Sequence, residues 1–395
     1  MHFAFTTEED AFRREIQEFA RAELPQGWVG PTYNDEEWGD EEFWTLGEKM
    51  AVKVGKKGWL SLTWPREYGG QSRSPVEHAI FKEEMSYNRV PGIDVVGGGI
   101  VAPTLLAFGT DEQKRRRLPG IARGDQFWCQ GFSEPEAGSD LAALKTQAVE
   151  RDDCFVVNGQ KVWTSGAHKS QWMMLLVRTD PDAPKHRGIS VLLVDMKTPG
   201  ISIRPLINII GGHAFNEVFL DNVRVPRENL VSEKNQGWRV VTSALNFERS
   251  GIERVGYSRR ALADIAALVR GVGPTGGLSP EAQSVRRRLV DMEIECEVAR
   301  LFSYRVAWME SKGITPECEA AMSKLLGSEL MQHVAQTGMQ ALGLYGQLAK
   351  GSIWAYLEGS IEHLYLSSLG RTIGAGTSEI QRNQVAIRGL GLPRG

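Results

Sequence analysis

The sequence of 395 residues predicts an α+β fold in which helices come first, strands fill the middle and helices return. Apolar residues recur at helical spacing in the first third, strand-like runs cluster in the middle, and the helical period resumes at Gly237. We therefore predict an N-terminal helical domain (1–125), a central β domain built as a small barrel or orthogonal sheets (126–235), and a C-terminal four-helix bundle (236–395).

Three helix starts support the N-terminal domain. Thr6 and Glu9 form a capping-box pattern, in which each side chain bonds the backbone N–H of the other residue. The segment Ser74 to Glu77 combines an N-cap serine, a proline in the first turn and a glutamate at the third position. The segment Thr110 to Gln113 begins a third helix.

Strand signals begin after residue 125. Asn158 and Gly159 lie between two apolar runs and predict a β-hairpin, because this pair readily adopts the positive φ angles of a type I′ turn. The runs 172–177 and 189–195 are typical of buried strands. We interpret 215–225 as a further strand pair or ribbon.

Proline-marked starts return in the C-terminal part. Ser279 and Thr315 each precede a proline, which predicts an N-cap and a first helical turn at the start of a long helix. The segment 271–276 matches the dinucleotide-binding glycine pattern. That pattern needs a preceding strand, whereas 261–270 has helical periodicity, so we interpret the segment as a flexible loop between helices.

Composition excludes several functions. A net charge of −3 gives no reason to expect nucleic-acid or anionic-membrane binding, and the short basic run 114–117 is typical of a solvated helix face. No apolar run is long enough to span a bilayer, and the N-terminus lacks a signal-peptide pattern. We expect a soluble, cytoplasmic protein. The cysteines (Cys129, Cys154, Cys296, Cys318) follow neither a disulfide nor a zinc spacing, so we expect reduced, buried thiols and no metal.

Four segments together resemble the acyl-CoA dehydrogenase family of flavoproteins, and the resemblance extends from Thr6 to Pro393. It implies that the chain binds FAD, removes hydrogen from the α and β carbons of an acyl-CoA thioester, and passes electrons to an electron-transferring flavoprotein. The four segments are Gln130 to Asp140, Trp163 to Ser165, Asn246 to Arg249, and Gly374 to Arg382.

The catalytic base is the point at which this chain departs from most of that family. Most members carry it as a glutamate directly before Gly-Thr in the C-terminal segment, and here that position is Ala375. A minority branch, which includes isovaleryl- and long-chain acyl-CoA dehydrogenases, carries it earlier, as a glutamate before an arginine. Glu248 and Arg249 match that pattern. The resemblance therefore implies that Glu248 is the base.

The resemblance also implies the flavin contacts. Ser133 and neighbouring backbone amides would donate to the flavin, Trp163 would cover one ring face, and Thr164 and Ser165 would contact the ring near N5. Taken alone, Trp163 is as well explained as a core tryptophan. The implied cofactor-binding residues are Gln130, Phe132, Ser133, Gly138, Ser139, Trp163, Thr164, Ser165, Arg270, Gln283, Gln340, Gly343, Thr377, Ser378 and Glu379.

Family members complete each flavin site from a neighbouring subunit, so the resemblance implies a tetramer. An arginine from Arg-x-x-Phe-Gly and a Gln-x-x-Gly-Gly-x-Gly segment supply that part. Arg270 lacks the following phenylalanine and could equally be a surface arginine, and Leu344 replaces the second glycine after Gln340 and Gly343. A homotetramer is expected, or a heterotetramer whose other chain supplies these residues, as in members that act on bulky steroid side-chain thioesters.

The implied substrate contacts include the backbone N–H of residue 375, which would hold the thioester carbonyl together with a flavin hydroxyl. Two alternatives to the dehydrogenase remain. One is a flavin-binding or non-catalytic partner subunit, and the other is a related oxidase or desulfinase. The sequence does not specify the acyl group. The residues implied to line or support the acyl-CoA channel are Ser139, Asn246, Arg249, Ala375 and Gly376.

Overall fold

The computed structural model describes residues 4–247, 250–271 and 280–393, with the backbone alone at 34, 35, 37, 244–247, 271 and 280–283. Helices form both ends of the chain, which confirms the predicted N-terminal and C-terminal helical parts. In chain order the helices are α1 (Thr7–Glu23), α2 (Glu41–Lys56), α3 (Pro75–Tyr87), α4 (Ala102–Phe108), α5 (Asp111–Arg123), α6 (Gly237–Phe247), α7 (Ile252–Gly271), α8 (Pro280–Ser311), α9 (Glu317–Leu342), α10 (Ser360–Arg371) and α11 (Ser378–Gln384).

The strands lie in the middle of the chain, as predicted, and pair into one sheet. The strands are β1 (Trp128–Gly131), β2 (Gln147–Glu150), β3 (Cys154–Lys161), β4 (Trp172–Arg178), β5 (Ile189–Asp195), β6 (Ile201–Leu206), β7 (Phe215–Pro226) and β8 (Leu230–Val231). Their hydrogen-bonded order is β6-β7-β3-β2-β4-β5-β8, and β1 pairs in parallel with β4.

Strand β4 lies between two apolar layers. Met173, Leu175 and Val177 belong to one core cluster, and the alternate residues Met174 and Leu176 belong to another that includes side chains of α4, α5 and α6. Because successive side chains of a strand point to opposite faces, a strand covered on both faces has a continuous apolar sequence. This explains the uninterrupted apolar run that predicted β4.

The predicted hairpin at Asn158 and Gly159 is wrong. Both residues lie inside the continuous strand β3, and the register against β7 shifts between Val157 and Gly159, as in a β-bulge. Gly159 has φ +154°, and a side chain there would come within 2.5 Å of Thr146. The glycine is therefore needed for a close approach of β2, and the asparagine bonds Asn222 on β7.

The predicted strand pair at 215–225 is also a single element. Strand β7 runs for twelve residues. It pairs with β6 through its first half and with β3 through most of its length, which keeps it extended without a turn. Two partners on opposite edges favour one long strand over a local ribbon.

The N-terminal caps are as predicted. Complete capping boxes at Thr6, Ser74 and Thr110 open α1, α3 and α5. In the C-terminal part, α9 begins one residue later than expected, since Pro316 is the last non-helical residue and Thr315 makes no cap bond. The predicted cap at Ser279 and most of the predicted loop 271–276 lie outside the described residues.

The chain divides into two compact units by its internal contacts. One unit joins the sheet to α2, α4, α5 and α6. The other, which we call the helical unit, contains α1, α3 and the five helices α7 to α11. Within it α7, α8, α9 and α10 pack on one another as the predicted four-helix bundle. The N-terminal helices thus contribute to both units. The boundaries of the three domains expected from the sequence stay a prediction.

Among the described segments, no helix combines the length and apolar character needed to cross a bilayer. The same residues contain no group of three or more histidine, cysteine or acidic side chains able to hold a metal ion. All four cysteines are free thiols. Cys129, Cys154 and Cys296 are buried, and Cys318 is half-buried.

A buried carboxylate holds the helical unit together. Glu83 on α3 is fully buried and accepts hydrogen bonds from Arg13 (3.1 Å), Arg259 (2.5 Å), Arg300 (2.6 Å) and the Tyr304 hydroxyl (2.5 Å). Burial raises the pKa of Glu83, but the surrounding cations and hydrogen bonds outweigh it and the net pKa is lowered. One carboxylate therefore links α1, α7 and α8 to α3.

We predict that Glu83→Gln destabilises the protein by about 3 kcal/mol, because it leaves the partly buried Arg13, Arg259 and Arg300 short of their counter-charge. Glu297→Gln is the matched control. Its half-exposed carboxylate pairs with the same Arg300 at 3.2 Å, and its loss should change stability by less than about 0.5 kcal/mol. Thermal unfolding measures both, and equal midpoints for the two variants would contradict the assignment.

Candidate functional site

The segment 130–139 leaves the end of β1 and forms a tight turn. Glu134 and Ala137 exchange backbone hydrogen bonds of 3.1 and 3.0 Å. The turn leaves Gly138 and Ser139 exposed, while Phe132 is buried beneath it. The segment therefore offers backbone groups and small side chains at its tip above an anchored base.

That base contains a buried ion pair. The Lys161 ammonium, which is fully buried, donates to the Phe132 carbonyl at 3.0 Å and to Glu134 at 2.9 Å. The Glu134 carboxylate also accepts the backbone N–H groups of Lys145 (2.7 Å) and Thr146 (2.8 Å). Four hydrogen bonds thus join the loop to the end of β3 and the start of β2.

Electrostatics keep this pair charged at neutral pH. Burial lowers the pKa of Lys161 to about 8, against the opposing effect of the Glu134 charge. Burial raises the pKa of Glu134, but the lysine charge and the hydrogen bonds outweigh it, so that pKa is lowered. The Lys161 and Glu134 charges are buried, and each is neutralised by the other, as a buried ion pair requires.

Trp163 lies beside this loop and faces outward. The N–H of Val162 donates to the Ser133 carbonyl at 3.0 Å, which brings the two predicted ring-binding segments side by side. Trp163 has φ +58° and is 61% exposed, and its ring meets the Phe215 ring edge-on with centroids 6.0 Å apart. It is not a core tryptophan. A bulky residue held in a left-handed conformation is an outlier that points to function.

The two residues after Trp163 differ in exposure. Thr164 is completely buried, and its hydroxyl has no hydrogen-bond partner among the residues described. Ser165 is half-buried and follows it in the chain. Ser165 is therefore better placed than Thr164 for a side-chain contact with a bound group. The Gln130 side-chain oxygen on β1 is likewise buried, and within the described part of the chain it is unpaired.

The backbone of Thr164 is fixed by Asn216, a residue that motif reasoning missed. The Thr164 N–H donates to the Asn216 carbonyl at 3.0 Å, and the Asn216 side chain donates to the Thr164 carbonyl at 3.0 Å. Asn216 in turn contacts His168 and His213. Asn216 lies far in sequence from Thr164 and His168, and neither it nor the two histidines matches a motif, so no pattern could have found them.

The C-terminal segment 374–379 belongs to the helical unit. Ala375 is exposed with φ +54°, and its N–H donates to no acceptor in the described structure. Gln381 donates to the carbonyl groups of Ala375 (3.3 Å) and Gly376 (3.4 Å). A methyl group at position 376 would lie 2.5 Å from the same amide nitrogen. The segment therefore presents a free backbone donor in a strained, glycine-dependent turn.

Helix α11 begins directly after this turn. The Thr377 hydroxyl accepts from the N–H of Ile380 at 3.2 Å and forms the N-cap. Ser378 is buried, with a hydroxyl that lacks a partner among described side chains and backbone, and Glu379 is exposed. The three predicted residues thus lie together at one helix start.

The residues expected to serve a neighbouring subunit lie on the surface of the helical unit. Arg270, Gln340 and Gly343 are exposed, and the Gln340 side chain accepts a hydrogen bond from Arg288. Leu344, which replaces the second glycine of the family motif, is 82% exposed. An exposed surface is compatible with a role toward another chain. The side chain of Gln283 is not described.

Glu248 and Arg249 lie outside the described residues, and so does the side chain of Asn246 at the end of α6. The structure therefore leaves the proposed base unplaced. It does remove a competitor, because Glu253 also precedes an arginine. Lys82 pairs with Glu253 at 2.6 Å. Burial raises the pKa of Glu253, but the Lys82 charge and the hydrogen bonds to the carboxylate together outweigh it, so the net pKa is lowered and Glu253 is a poor base.

Comparisons with known proteins cover nearly the whole chain. Three family models match: "Acyl-CoA dehydrogenase, N-terminal domain" at 6–125, "middle domain" at 129–223 and "C-terminal domain" at 235–390. The chain is 36% identical to "Acyl-CoA dehydrogenase FadE26" of Mycobacterium tuberculosis, over 100% of this chain and 99% of that protein.

Two solved structures share the fold over the full length of both chains. One is described as the "Tcur3481-Tcur3483 steroid ACAD", with 34% identity and a TM-score of 0.90. The other is the "ChsE4-ChsE5 complex from Mycobacterium tuberculosis", with 34% identity and a TM-score of 0.86. Coverage is 100% in each direction for both structures.

The chain therefore belongs to the acyl-CoA dehydrogenase family. It is an oxidoreductase that acts on acyl-CoA, and its family carries out flavin-dependent dehydrogenation and implies FAD. The chain's own residues fit a flavin. Trp163, exposed and in a strained conformation, provides an aromatic face for a planar polar ring. The half-buried Ser165 and the backbone of the 130–139 loop provide hydrogen bonds to it.

We predict that Lys161→Met loosens the 130–139 loop, because Glu134 would be left buried without its counter-charge. Lys145→Met is the control, since the Lys145 ammonium pairs with Glu136 at 2.7 Å where both side chains are highly exposed. Hydrogen–deuterium exchange of the loop should accelerate at least tenfold in the first variant and stay unchanged in the second. Equal exchange in both would show that the buried pair does not hold the loop.

Proposed function

We propose that the chain binds FAD at the Trp163 face and oxidises an acyl-CoA thioester to its 2-enoyl-CoA, with Glu248 as base and an electron-transferring flavoprotein as electron acceptor. The observation that carries this proposal is the exposed, left-handed Trp163 held beside the braced 130–139 loop. The fold leaves the apolar ring of Trp163 exposed to water and its backbone in a strained conformation. A ligand that packs on the ring would account for both features.

The flavin contacts that we propose follow from exposure. When bound, FAD accepts a hydride from the substrate. Trp163 would cover one face of its ring, while Ser133, Ser165 and the backbone at Gly138 and Ser139 would supply hydrogen bonds. These groups are half-buried or exposed. Thr164 would act through its fixed backbone, because its side chain is completely buried.

The thioester carbonyl needs a hydrogen-bond donor, since negative charge develops on its oxygen when the Cα proton leaves. We assign this role to the backbone N–H of Ala375, which has no acceptor within the described chain. Gly376 leaves room for the thioester at the same turn. An alanine serves as well as a glutamate here, because the donor is the backbone.

The base must be a carboxylate beside Cα, and Ala375 has none. We therefore assign proton removal to Glu248, which matches the second base position of the family, with Asn246 and Arg249 lining or supporting the channel. The pairing of Glu253 with Lys82 supports this choice, because it makes Glu253, a nearby glutamate that also precedes an arginine, a poor base.

We also propose an assembly of four chains in the cytoplasm, in which a neighbour completes each flavin site. Leu344, exposed in place of a glycine, favours a second kind of chain over a homotetramer. The two solved relatives are each described by a pair of protein names, and one as acting on steroids, so we propose a bulky acyl group of that type. A non-catalytic role within such a pair is the second candidate function.

We predict that Trp163→Ala weakens flavin retention by at least tenfold, because the ring loses its packing surface. Trp163→Phe is the control, since it keeps a flat apolar face and should retain most of the flavin. The measurement is flavin absorbance after exhaustive filtration. A Trp163→Ala variant with full retention and an unchanged spectrum would place the ring elsewhere.

We predict that Glu248→Gln binds flavin normally but is reduced by substrate roughly a thousandfold more slowly, because glutamine cannot accept the Cα proton. Adding Ala375→Glu to that variant should restore part of the rate, since the family reaches the same proton from either position. Stopped-flow reduction under anaerobic conditions measures both.

The matched control for this experiment is Glu253→Gln, a nearby glutamate that also precedes an arginine. It should lower stability by breaking the Lys82 ion pair and leave the reduction rate of the bound flavin within about threefold of the original. If Glu248→Gln reduces its flavin at the original rate, the base assignment is wrong.

A further inference from the structure

Three polar side chains form a closed network behind the Trp163 turn. The His168 and His213 rings stack with centroids 4.0 Å apart and planes 15° from parallel. Asn216 lies between them, and its side chain contacts His168 Nδ1 at 3.2 Å and His213 Nε2 at 2.8 Å. The far nitrogen of His168, Nε2, lies 2.9 Å from the carbonyl oxygen of Trp38.

Asn216 uses its whole side-chain amide in this network. The residue is completely buried. Its nitrogen donates one hydrogen to the Thr164 carbonyl and the other to His168, and its oxygen accepts from His213. A primary amide has two donors and one carbonyl acceptor, so its orientation is fixed by its partners. Reversing the amide would place its oxygen against the Thr164 carbonyl.

The network also fixes the protonation of His168. A backbone carbonyl only accepts, so the hydrogen of His168 lies on Nε2 and points to Trp38. Its Nδ1 therefore carries a lone pair, which accepts from Asn216. Protonated His168 would place a second N–H donor against the amide hydrogens. The network is thus complete only with neutral His168.

We propose that Asn216 and His168 are positioning residues for the flavin ring, and that protonation of His168 turns the Asn216 amide away from Thr164 and loosens the hold on the flavin in acid. The inference rests on the proposed binding of flavin at Trp163. Asn216 hydrogen-bonds both the N–H and the carbonyl of Thr164, which directly follows the exposed Trp163. A change in Asn216 therefore acts on the backbone next to the flavin-binding tryptophan.

The surroundings set the pH range. Charged and titratable groups that act on His168 are His213 across the stack and Lys169, which pairs with Glu41 at 2.7 Å. Burial, followed by the charge of His213, lowers the pKa of His168 below its usual 6.5. A histidine with a lowered pKa keeps the folded network intact above about pH 6.5 and loses it as the pH falls through the lower folded value.

The test compares the original protein with His168→Asn, whose amide oxygen can replace Nδ1 as the acceptor but does not titrate. Two quantities are measured from about pH 8 down to the lowest pH at which both proteins stay folded. One is the affinity for FAD, and the other is hydrogen exchange of residues 163–166 in flavin-free protein. We expect the original protein to lose about fivefold in flavin affinity in acid, the factor of one neutral hydrogen bond. We expect His168→Asn to lose less than about twofold.

The two readouts separate this inference from the proposed function. A protein that binds no flavin at any pH contradicts the proposed function, while acid-dependent exchange that is absent in His168→Asn would still support the network. The same acid loss of flavin in both proteins overturns the positioning role. Faster hydrogen exchange of residues 163–166 in acid without any change in flavin affinity also overturns the positioning role. Asn216→Ala supplies a second check, since it should give the low-pH affinity at every pH.

Discussion

The buried ion pair between Lys161 and Glu134 is the constraint on which the candidate flavin site depends. A buried ammonium is costly unless it is paired with an opposite charge and hydrogen-bonded, and here it bonds both the loop carbonyl of Phe132 and a carboxylate of the same loop. The pair therefore fixes the start of the loop to the end of β3. Trp163 follows two residues later, so the loop and the tryptophan are positioned by one contact.

The strained backbone of Trp163 is tolerated because hydrogen bonds hold the residues on both sides of it. Trp163 lies between Val162, bonded to the loop, and Thr164, bonded twice to Asn216. With both neighbours fixed, its left-handed conformation costs about 1–3 kcal/mol that the rest of the fold supplies. The exposed Ala375 turn shows the same design in the helical unit, where Gln381 holds two successive carbonyl groups.

The sequence predicted the features that local chemistry determines. The helix starts predicted at Thr6, Ser74 and Thr110 were correct because each depends on residues within three positions of one another. The turn at Asn158 and Gly159 was wrong because the neighbouring strand, through Thr146, determines what the glycine does. Local patterns do not contain that information.

In the candidate site, too, the sequence predicted the motif residues but not the residues whose roles depend on contacts between distant parts of the chain. Family resemblance selected Ser133 and Trp163, and the structure brings their segments together. It could not select Asn216, His168 or His213, whose roles arise from contacts across the sheet domain. The exposure of Trp163 also needed the fold, since a tryptophan after a strand is usually buried.

Anaerobic titration of the flavin-loaded protein with straight-chain, branched, aromatic and steroid acyl-CoA thioesters tests the central claim most directly. The account predicts that at least one thioester bleaches the bound flavin, with one equivalent of 2-enoyl-CoA formed for each flavin reduced and with the bulky steroid thioester among the most effective. A protein whose flavin no acyl-CoA reduces, or one that yields a product other than the enoyl thioester, would contradict it.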